Sequence, residues 1–222
     1  PMPDCAIFAD TGWEPKAVYD HLDWLMSDNV LPFPVHVVSH GNLRDDIGKA
    51  RPNGKWKIQP IPAFIKSERG IGPGNRNCTA DYKIRPILRK LKALAQIAGK
   101  KAPKHPIVEQ WIGISTDESG RMKPSRDTWS QHRFPLVEQG MSRQDCLAWM
   151  RQKGYPEPVK SSCTFCPFHN DANWRDMKHN DPVSWADAVE VDIKMRDMWR
   201  GRGQWFLHRS GAPLDQVDFS TA

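Results

Sequence analysis

The stretch Cys5-Ala-Ile-Phe-Ala-Asp-Thr-Gly-Trp-Glu-Pro15 decides how the chain is read. Its apolar run, Cys5 to Ala9, is short and ends in the polar turn Asp10-Thr11-Gly12, the pattern of a parallel strand buried on both faces. Pro15 suits the first turn of a helix. Val18, Leu22 and Leu25 then recur at helical spacing between Lys16 and Met26, with Trp24 nearby. Val35-His-Val-Val38 is a second strand running into another polar turn, Ser39-His-Gly-Asn42. Strand, helix and strand in this order predict a right-handed parallel crossover unit.

Outward from that unit, residues 49–77 hold Pro, Gly, Lys and Arg with little periodicity, which predicts a mobile basic loop able to act as a lid. From Ala80 to Ala98 the apolar residues Ile84, Ile87, Leu88, Leu91, Leu94 and Ala95 mark an amphipathic helix, and Pro86 moves its true start to near Arg85. Gly99 to Pro106 is a basic linker. Ile107 to Ile114 is a third strand, followed by the turn Ser115-Thr-Asp-Glu-Ser-Gly-Arg121. Ser142 is the N-cap of a helix reaching about Lys153 and closed by Gly154. Helices follow near 171–178 and 182–199, with an edge strand at Gln204–Leu207. The expected fold is α/β, an open and mostly parallel sheet flanked by helices. Residues 1–140 form a nucleotide-binding-like core, and 141–222 a helical C-terminal subdomain with a cysteine-bearing turn.

Composition narrows the function classes. At 222 residues, with 39% hydrophobic and 26% charged, the chain is globular and is one large domain or one and a half small ones. No apolar run approaches the roughly 18–20 residues of a membrane span and no signal peptide opens the sequence, so a membrane or secreted protein is not expected. Lys and Arg number 32 against 26 Asp and Glu, a net charge of +6. That suits an anionic partner such as a nucleotide, sulfate, phosphate or nucleic acid, and equally a plain basic surface. Five cysteines, an odd number in a chain too large to need disulfide staples, read as cytoplasmic thiols, some of them metal-bound. The ten Trp fill cores and edges more readily than they stack on bases.

The strongest local motif is Cys163-Thr-Phe-Cys166-Pro167. Two thiolates at this spacing serve an iron–sulfur site, a zinc knuckle completed by His169, a redox dithiol, or nothing beyond packing. Asp10-Thr11-Gly12 and Glu118-Ser119-Gly-Arg121 both follow strands, and the carboxyl ends of strands form the ligand crevice of an open α/β sheet. Glu118 and Ser119 offer hydrogen bonds there and Arg121 pairs an anion. Taken singly, each motif is also ordinary turn chemistry. Lys83 and Arg85 either meet the phosphate end of a nucleotide or are solvated helix charges. Lys123 and Arg126 extend the positive rim.

In these residues the sequence resembles the phosphoadenosine phosphosulfate reductase family, within the PP-loop ATP pyrophosphatase superfamily, over roughly residues 4 to 170. The anchors are Ile7-Phe-Ala-Asp-Thr-Gly-Trp-Glu-Pro15; Cys78-Thr-Ala-Asp-Tyr-Lys-Ile-Arg-Pro86; Gly113-Ile-Ser-Thr-Asp-Glu-Ser-Gly-Arg121; and Pro135-Leu-Val137 leading through Asp145-Cys146 to Cys163 and Cys166. Each is weak alone, and together in this order they are specific. The resemblance implies an adenine-nucleotide or sulfonucleotide site at Asp10, Thr11, Gly12, Lys83, Arg85, Glu118, Ser119 and Arg121. It also implies an iron–sulfur cluster, of the 4Fe-4S type, on Cys78, Cys163 and Cys166, with zinc as the alternative. Cys146 is either the fourth ligand or a core residue, and Cys5 belongs to the core.

What the resemblance implies about activity is sulfur chemistry in the cytoplasm: reduction of an activated sulfate, or transfer of sulfur to a nucleic acid. Three departures qualify it. No Ser-Gly-Gly PP-loop precedes the Asp10 strand, Ser115 stands where the reductases carry Arg, and no cysteine follows Cys166 to act as a tail nucleophile. The nearest Gly-rich stretch is Gly70-Ile-Gly-Pro-Gly74, whose Pro73 argues against a phosphate loop. This chain alone is therefore expected to lack ATP pyrophosphatase activity: either a natural N-terminal segment is missing from the sequence, or a homo-oligomer or another chain supplies the element, or the fold is a reduced one. The rival expectation is a non-catalytic protein on the same fold that binds nucleic acid or a partner.

Overall fold

The Asp10 turn closes a strand where its sequence predicts one: β1 (Ala6–Asp10), followed by α1 (Lys16–Met26) and β2 (Val35–Ser39), with β1 and β2 forming a two-stranded sheet. The structure, a computed structural model, describes residues 2–49, 60–158, 161–198 and 203–220. After β2 come α2 (Leu43–Asp46), β3 (Phe64–Ser67), β4 (Gly70–Pro73), α3 (Arg85–Leu94), β5 (Val108–Trp111), β6 (Ser130–Arg133) and α4 (Pro135–Glu138). The chain finishes with α5 (Arg143–Gln152), α6 (Asp171–Asn180), α7 (Pro182–Met195) and β7 (Gln204–Phe206). Among the described residues no helix is long and apolar enough to cross a membrane.

The architecture is mixed α/β, but among the described residues the strands do not join into one open sheet. Instead there are three small sheets. β5 and β6 pair in parallel, Val108 opposite Ser130 through Trp111 opposite Arg133. β4, β3 and β7 pair antiparallel, Ser67 opposite Gly70 and Phe64 opposite Phe206. The hairpin falls where sequence reading predicts a loop. Its strands are four residues each and largely exposed, so they carry no alternation of apolar and polar residues to read. The rest of that predicted lid, residues 50–59, lies outside the described residues.

Packing divides the chain into two units that interleave along the sequence. The first comprises residues 2–6, 21–36 and 88–158, and the second residues 7–20, 37–49, 60–87, 161–198 and 203–220. Position 140, the expected boundary, falls inside the first. In that unit Ser142 caps α5 as predicted: its hydroxyl accepts the Asp145 N–H, and the Asp145 carboxylate accepts the Ser142 N–H in return. The second unit is built on a core of Leu43, Ile47, Phe165, Trp174, Met195 and Leu207. Within it Asp192 is 1% exposed, and its carboxylate accepts the N–H of Leu207 at 2.7 Å, the N–H of Leu214 at 3.2 Å and the Arg196 guanidinium at 2.6 Å.

The start of α3 is also as Pro86 foretold. Residues Thr79–Ile84 form a widened, π-helical turn, in which the N–H of Arg85 bonds the carbonyl of Ala80, before the regular helix begins at Arg85. Cys78 is the residue immediately ahead of that turn.

Candidate functional site

The second unit brings the Asp10 turn and the cysteine turn together. Gly12 has φ +71, open to glycine, and a Cβ there would lie 3.0 Å from the Cα of Asn42. The Asn42 side-chain amide donates to the Gly12 carbonyl at 3.1 Å, and the Leu43 N–H donates to the Thr11 carbonyl at 2.8 Å. Asp10 is engaged within the turn. Its carboxylate accepts the Gly12 N–H at 2.8 Å and the Tyr19 hydroxyl at 2.9 Å, so it braces the turn from within. Burial, with Asp10 adding to it, pushes the Tyr19 phenol up to about 12.

The cysteine motif forms two successive turns, with the Cys166 N–H on the Cys163 carbonyl at 2.9 Å and the His169 N–H on the Cys166 carbonyl at 3.0 Å. Phe165, fully buried between the two cysteines, pins the turn to the core. The Thr164 N–H donates to the Trp13 carbonyl at 3.3 Å, fastening the turn beside Thr11 and Glu14. His169 places Nε2 3.1 Å from the Cys163 carbonyl and packs edge-on against Trp174. It thus contacts the backbone of the turn.

The Cys163 sulfur lies 3.4 Å from the Thr11 hydroxyl, and its thiol donates to Glu14 Oε1 at 3.9 Å. Burial, then the Glu14 charge, pushes the Cys163 thiol up to about 12. Burial also raises the Cys166 thiol, and the neighbouring charge of Cys78 adds to it. Cys166 is thus within electrostatic reach of both Cys78 and Cys163, and all three lie on one unit. Cys146, on α5, belongs to the first unit, as does Cys5.

Glu14 is the residue that sequence reading passed over. Its side chain is sealed from solvent and accepts the Thr11 hydroxyl at 3.1 Å, the Lys83 ammonium at 3.3 Å and the Ser161 hydroxyl at 3.5 Å. Just before Pro15, a carboxylate reads as ordinary helix-start chemistry; only the arrival of Lys83, 69 residues away in sequence, marks it out. The other predicted cations are also engaged by carboxylates: Arg85 by Asp81 at 2.7 Å, and Arg121 by Glu118. Glu118, Ser119 and Arg121 lie in a 3₁₀ stretch, Thr116–Arg121, of the first unit, whereas Asp10, Thr11 and Gly12 lie in the second.

Beside the cysteine turn is an open cleft of about 210 Å³, lined by Gly12, Trp13, Glu14, Tyr19, Thr164 and Asp187 among others. Asp187 accepts the Trp13 indole N–H at 2.5 Å and Arg44 Nε at 2.6 Å, and the Arg44 guanidinium lies 5.1 Å from the Trp13 ring centre. An iron–sulfur cluster takes each thiolate on a separate iron, and three thiols on one unit match that donor type. Among the described residues no three His, Cys, Asp or Glu side chains gather around a single point as they would for one metal ion. No family model, curated protein or solved structure matches the chain.

Proposed function

We propose that this chain is an iron–sulfur, adenine-nucleotide-binding protein of sulfur chemistry, similar to the phosphoadenosine phosphosulfate reductases and nucleic-acid sulfurtransferases. The observation that carries the reading is the grouping of Cys78, Cys163 and Cys166 on one unit with Thr11, Glu14 and Lys83 beside them. Cys78, Cys163 and Cys166 would hold the cluster. When bound, a cluster supplies electrons, or an iron open to sulfide or substrate. The chain's own residues shape its surroundings. Thr11 offers a hydroxyl to the Cys163 sulfur, the Phe165 anchor fixes the turn, and Glu14 fixes the Lys83 ammonium at the rim. Lys83, one-third exposed, is the cation best placed to meet an anionic nucleotide approaching that turn. A reduced-thiol compartment, the cytoplasm, follows from this reading.

The test is anaerobic purification followed by iron, zinc and acid-labile sulfide analysis with a visible absorption spectrum. Iron and sulfide in comparable amounts, both lost in Cys163→Ala, are expected. Zinc alone, or no metal after reconstitution with iron and sulfide, would overturn the reading. A second reading, a non-catalytic binding protein on the same fold, is favoured by one observation: Lys83, Arg85 and Arg121, the cations expected at nucleotide phosphates, already pair with carboxylates. Titration calorimetry with ATP and with adenylyl sulfate separates the two, since the second reading requires no heat from either.

A further inference from the structure

The positive charge of this protein is local. Residues 82–108 contain no Asp or Glu. Within the first unit that interval supplies Arg89, Lys90, Lys92, Lys100, Lys101 and Lys104, six cations against a net charge of +6 for the whole chain, so the remaining sequence is balanced. Arg89, Lys100, Lys101 and Lys104 are exposed. Among the described residues none of the six enters an ion pair, although Arg85 just ahead of them is held by Asp81.

Packing ties the helix and the loop that follows it to one side chain and its neighbour. The Lys92 ammonium, on α3, lies 5.6 Å from the ring centre of Trp129, which is 1% exposed. The Trp129 carbonyl accepts the Ile107 N–H at 2.9 Å, and the neighbouring Thr128 hydroxyl donates to the Pro103 carbonyl at 2.8 Å. The end of the helix and the end of the loop that follows it are therefore fastened to the same place. Lys100, Lys101 and Lys104 ride on a loop whose two ends are fixed there, and Arg89 and Lys90 lie on the helix that leads into it.

We infer that residues 89–104 form a surface that binds the phosphodiester backbone of a nucleic acid. Five of the six cations are Lys, compact charges on flexible stems, which suit a dense line of single negative charges and release its counterions on binding. The cores of protein–protein interfaces are depleted in Lys. A helix lying on a membrane presents a free apolar face to lipid, whereas Ile87, Leu88 and Leu91 of α3 are already half-buried and Leu94 alone of its large apolar side chains is exposed. The inference deepens the reading proposed above by naming its macromolecular partner. What is done to the nucleic acid rests on that reading, while binding rests on charge and needs no cluster.

Binding is measured by fluorescence anisotropy on the metal-free 222-residue chain, with a labelled RNA hairpin and a labelled duplex DNA of about two helical turns, across a salt series. Six phosphate contacts predict a slope of log K against log salt of about −5 on duplex DNA. Replacing Arg89, Lys100, Lys101 and Lys104 together by Gln is expected to weaken binding at least about a hundredfold at low salt. It should also flatten the slope by about one per residue removed. Replacing Arg69, Arg143, Lys153 and Lys194 by Gln removes the same charge elsewhere and is expected to cost less than about threefold. Thermal melts of both variants near the wild-type value establish that folding is unchanged. Equal losses in the two variants would overturn the inference, as would absence of binding to either nucleic acid at low salt. Binding only to phosphatidylserine vesicles or polyglutamate would do the same. Iron analysis is independent of all these outcomes, so failure here and failure of the cluster reading are told apart.

Discussion

The ammonium of Lys83 lies 3.3 Å from a carboxylate oxygen of Glu14 that solvent does not reach. Lys83→Met leaves that buried charge with the Thr11 and Ser161 hydroxyls and the Cys163 thiol, and no cation. Breaking a fully buried pair costs roughly 3–5 kcal/mol. Lys83 is one-third exposed, which softens the loss to about 2 kcal/mol. Urea denaturation checks this. The double variant Lys83→Met, Glu14→Gln is expected to be less destabilised than the two single losses combined, because the residues interact directly. A Lys83→Met protein as stable as the wild type would contradict the pair's role.

Cys163 in the metal-free protein is expected to react slowly with iodoacetamide. Its thiol is pushed up to about 12 from an ordinary value of 9.0, first by burial and then by Glu14. At pH 8 the thiolate fraction is lower than in the unfolded chain by roughly three orders of magnitude. Because the folded value is raised, the associated stability is fully present below pH 9 and is lost as pH climbs toward 12. Glu14→Gln removes a charge that raises the thiol and should speed alkylation. Mass spectrometry of a timed reaction reads both effects, and a rate equal to that in urea would refute the burial of this sulfur.

Asp192 ties α7 to the segment that follows β7. Asp192→Ala leaves the N–H groups of Leu207 and Leu214 and the Arg196 guanidinium without their acceptor. The expected loss is about 3–5 kcal/mol. Asp192→Asn keeps one acceptor oxygen and is expected to lose less. Chemical denaturation ranks the three proteins; parity of Ala with wild type would show that the carboxylate is dispensable.

The Tyr82 hydroxyl donates to Asp46 at 2.5 Å, close to Cys78. Burial opposes ionisation of Asp46, but hydrogen bonds from Lys49 and Tyr82 outweigh it and hold the carboxyl below its ordinary 3.8. Tyr82→Phe is expected to cost about 2 kcal/mol at neutral pH, as for a hydrogen bond to a charged acceptor. With a depressed folded value, this stabilisation exists above the unfolded value and fades as pH falls through the folded one. The gap between wild type and variant should therefore close below about pH 4. A gap that stays constant down to pH 2 would mean that Asp46 is not the acceptor.

The strand at Ala6–Asp10, the helix at Lys16–Met26 and the capped helix after Ser142 were legible because each is a local event: an apolar run, a periodic stripe, a Ser-x-x-Asp cap. The hairpin at Phe64–Pro73 was not, since exposed four-residue strands with two glycines carry no pattern. The cysteine turn was legible from its spacing, and Cys78 only from family likeness. Glu14 was hidden because its meaning lies in distant partners, Lys83 and Ser161, which no local window contains. The parallel pairing of β5 with β6 depends on the same kind of long-range contact, and Ser130–Arg133 offers no apolar alternation to announce it.

Between Cys78 and α3 the chain carries one residue more than a regular helix would use, absorbed by the wide turn in which Arg85 reaches back to Ala80. Each residue of a helix turns the chain by about 100°. Closed to ordinary spacing with the same residues, the turn would rotate Cys78 by more than a quarter-circle relative to Arg85 and the helix behind it; the widened turn absorbs that residue instead. Every thiol, carboxylate and ammonium would still be present in the sequence, yet the bearing of Cys78 on α3 would have changed. The bearing of that cysteine on the helix is thus set by the shape of the turn as much as by the residues in it.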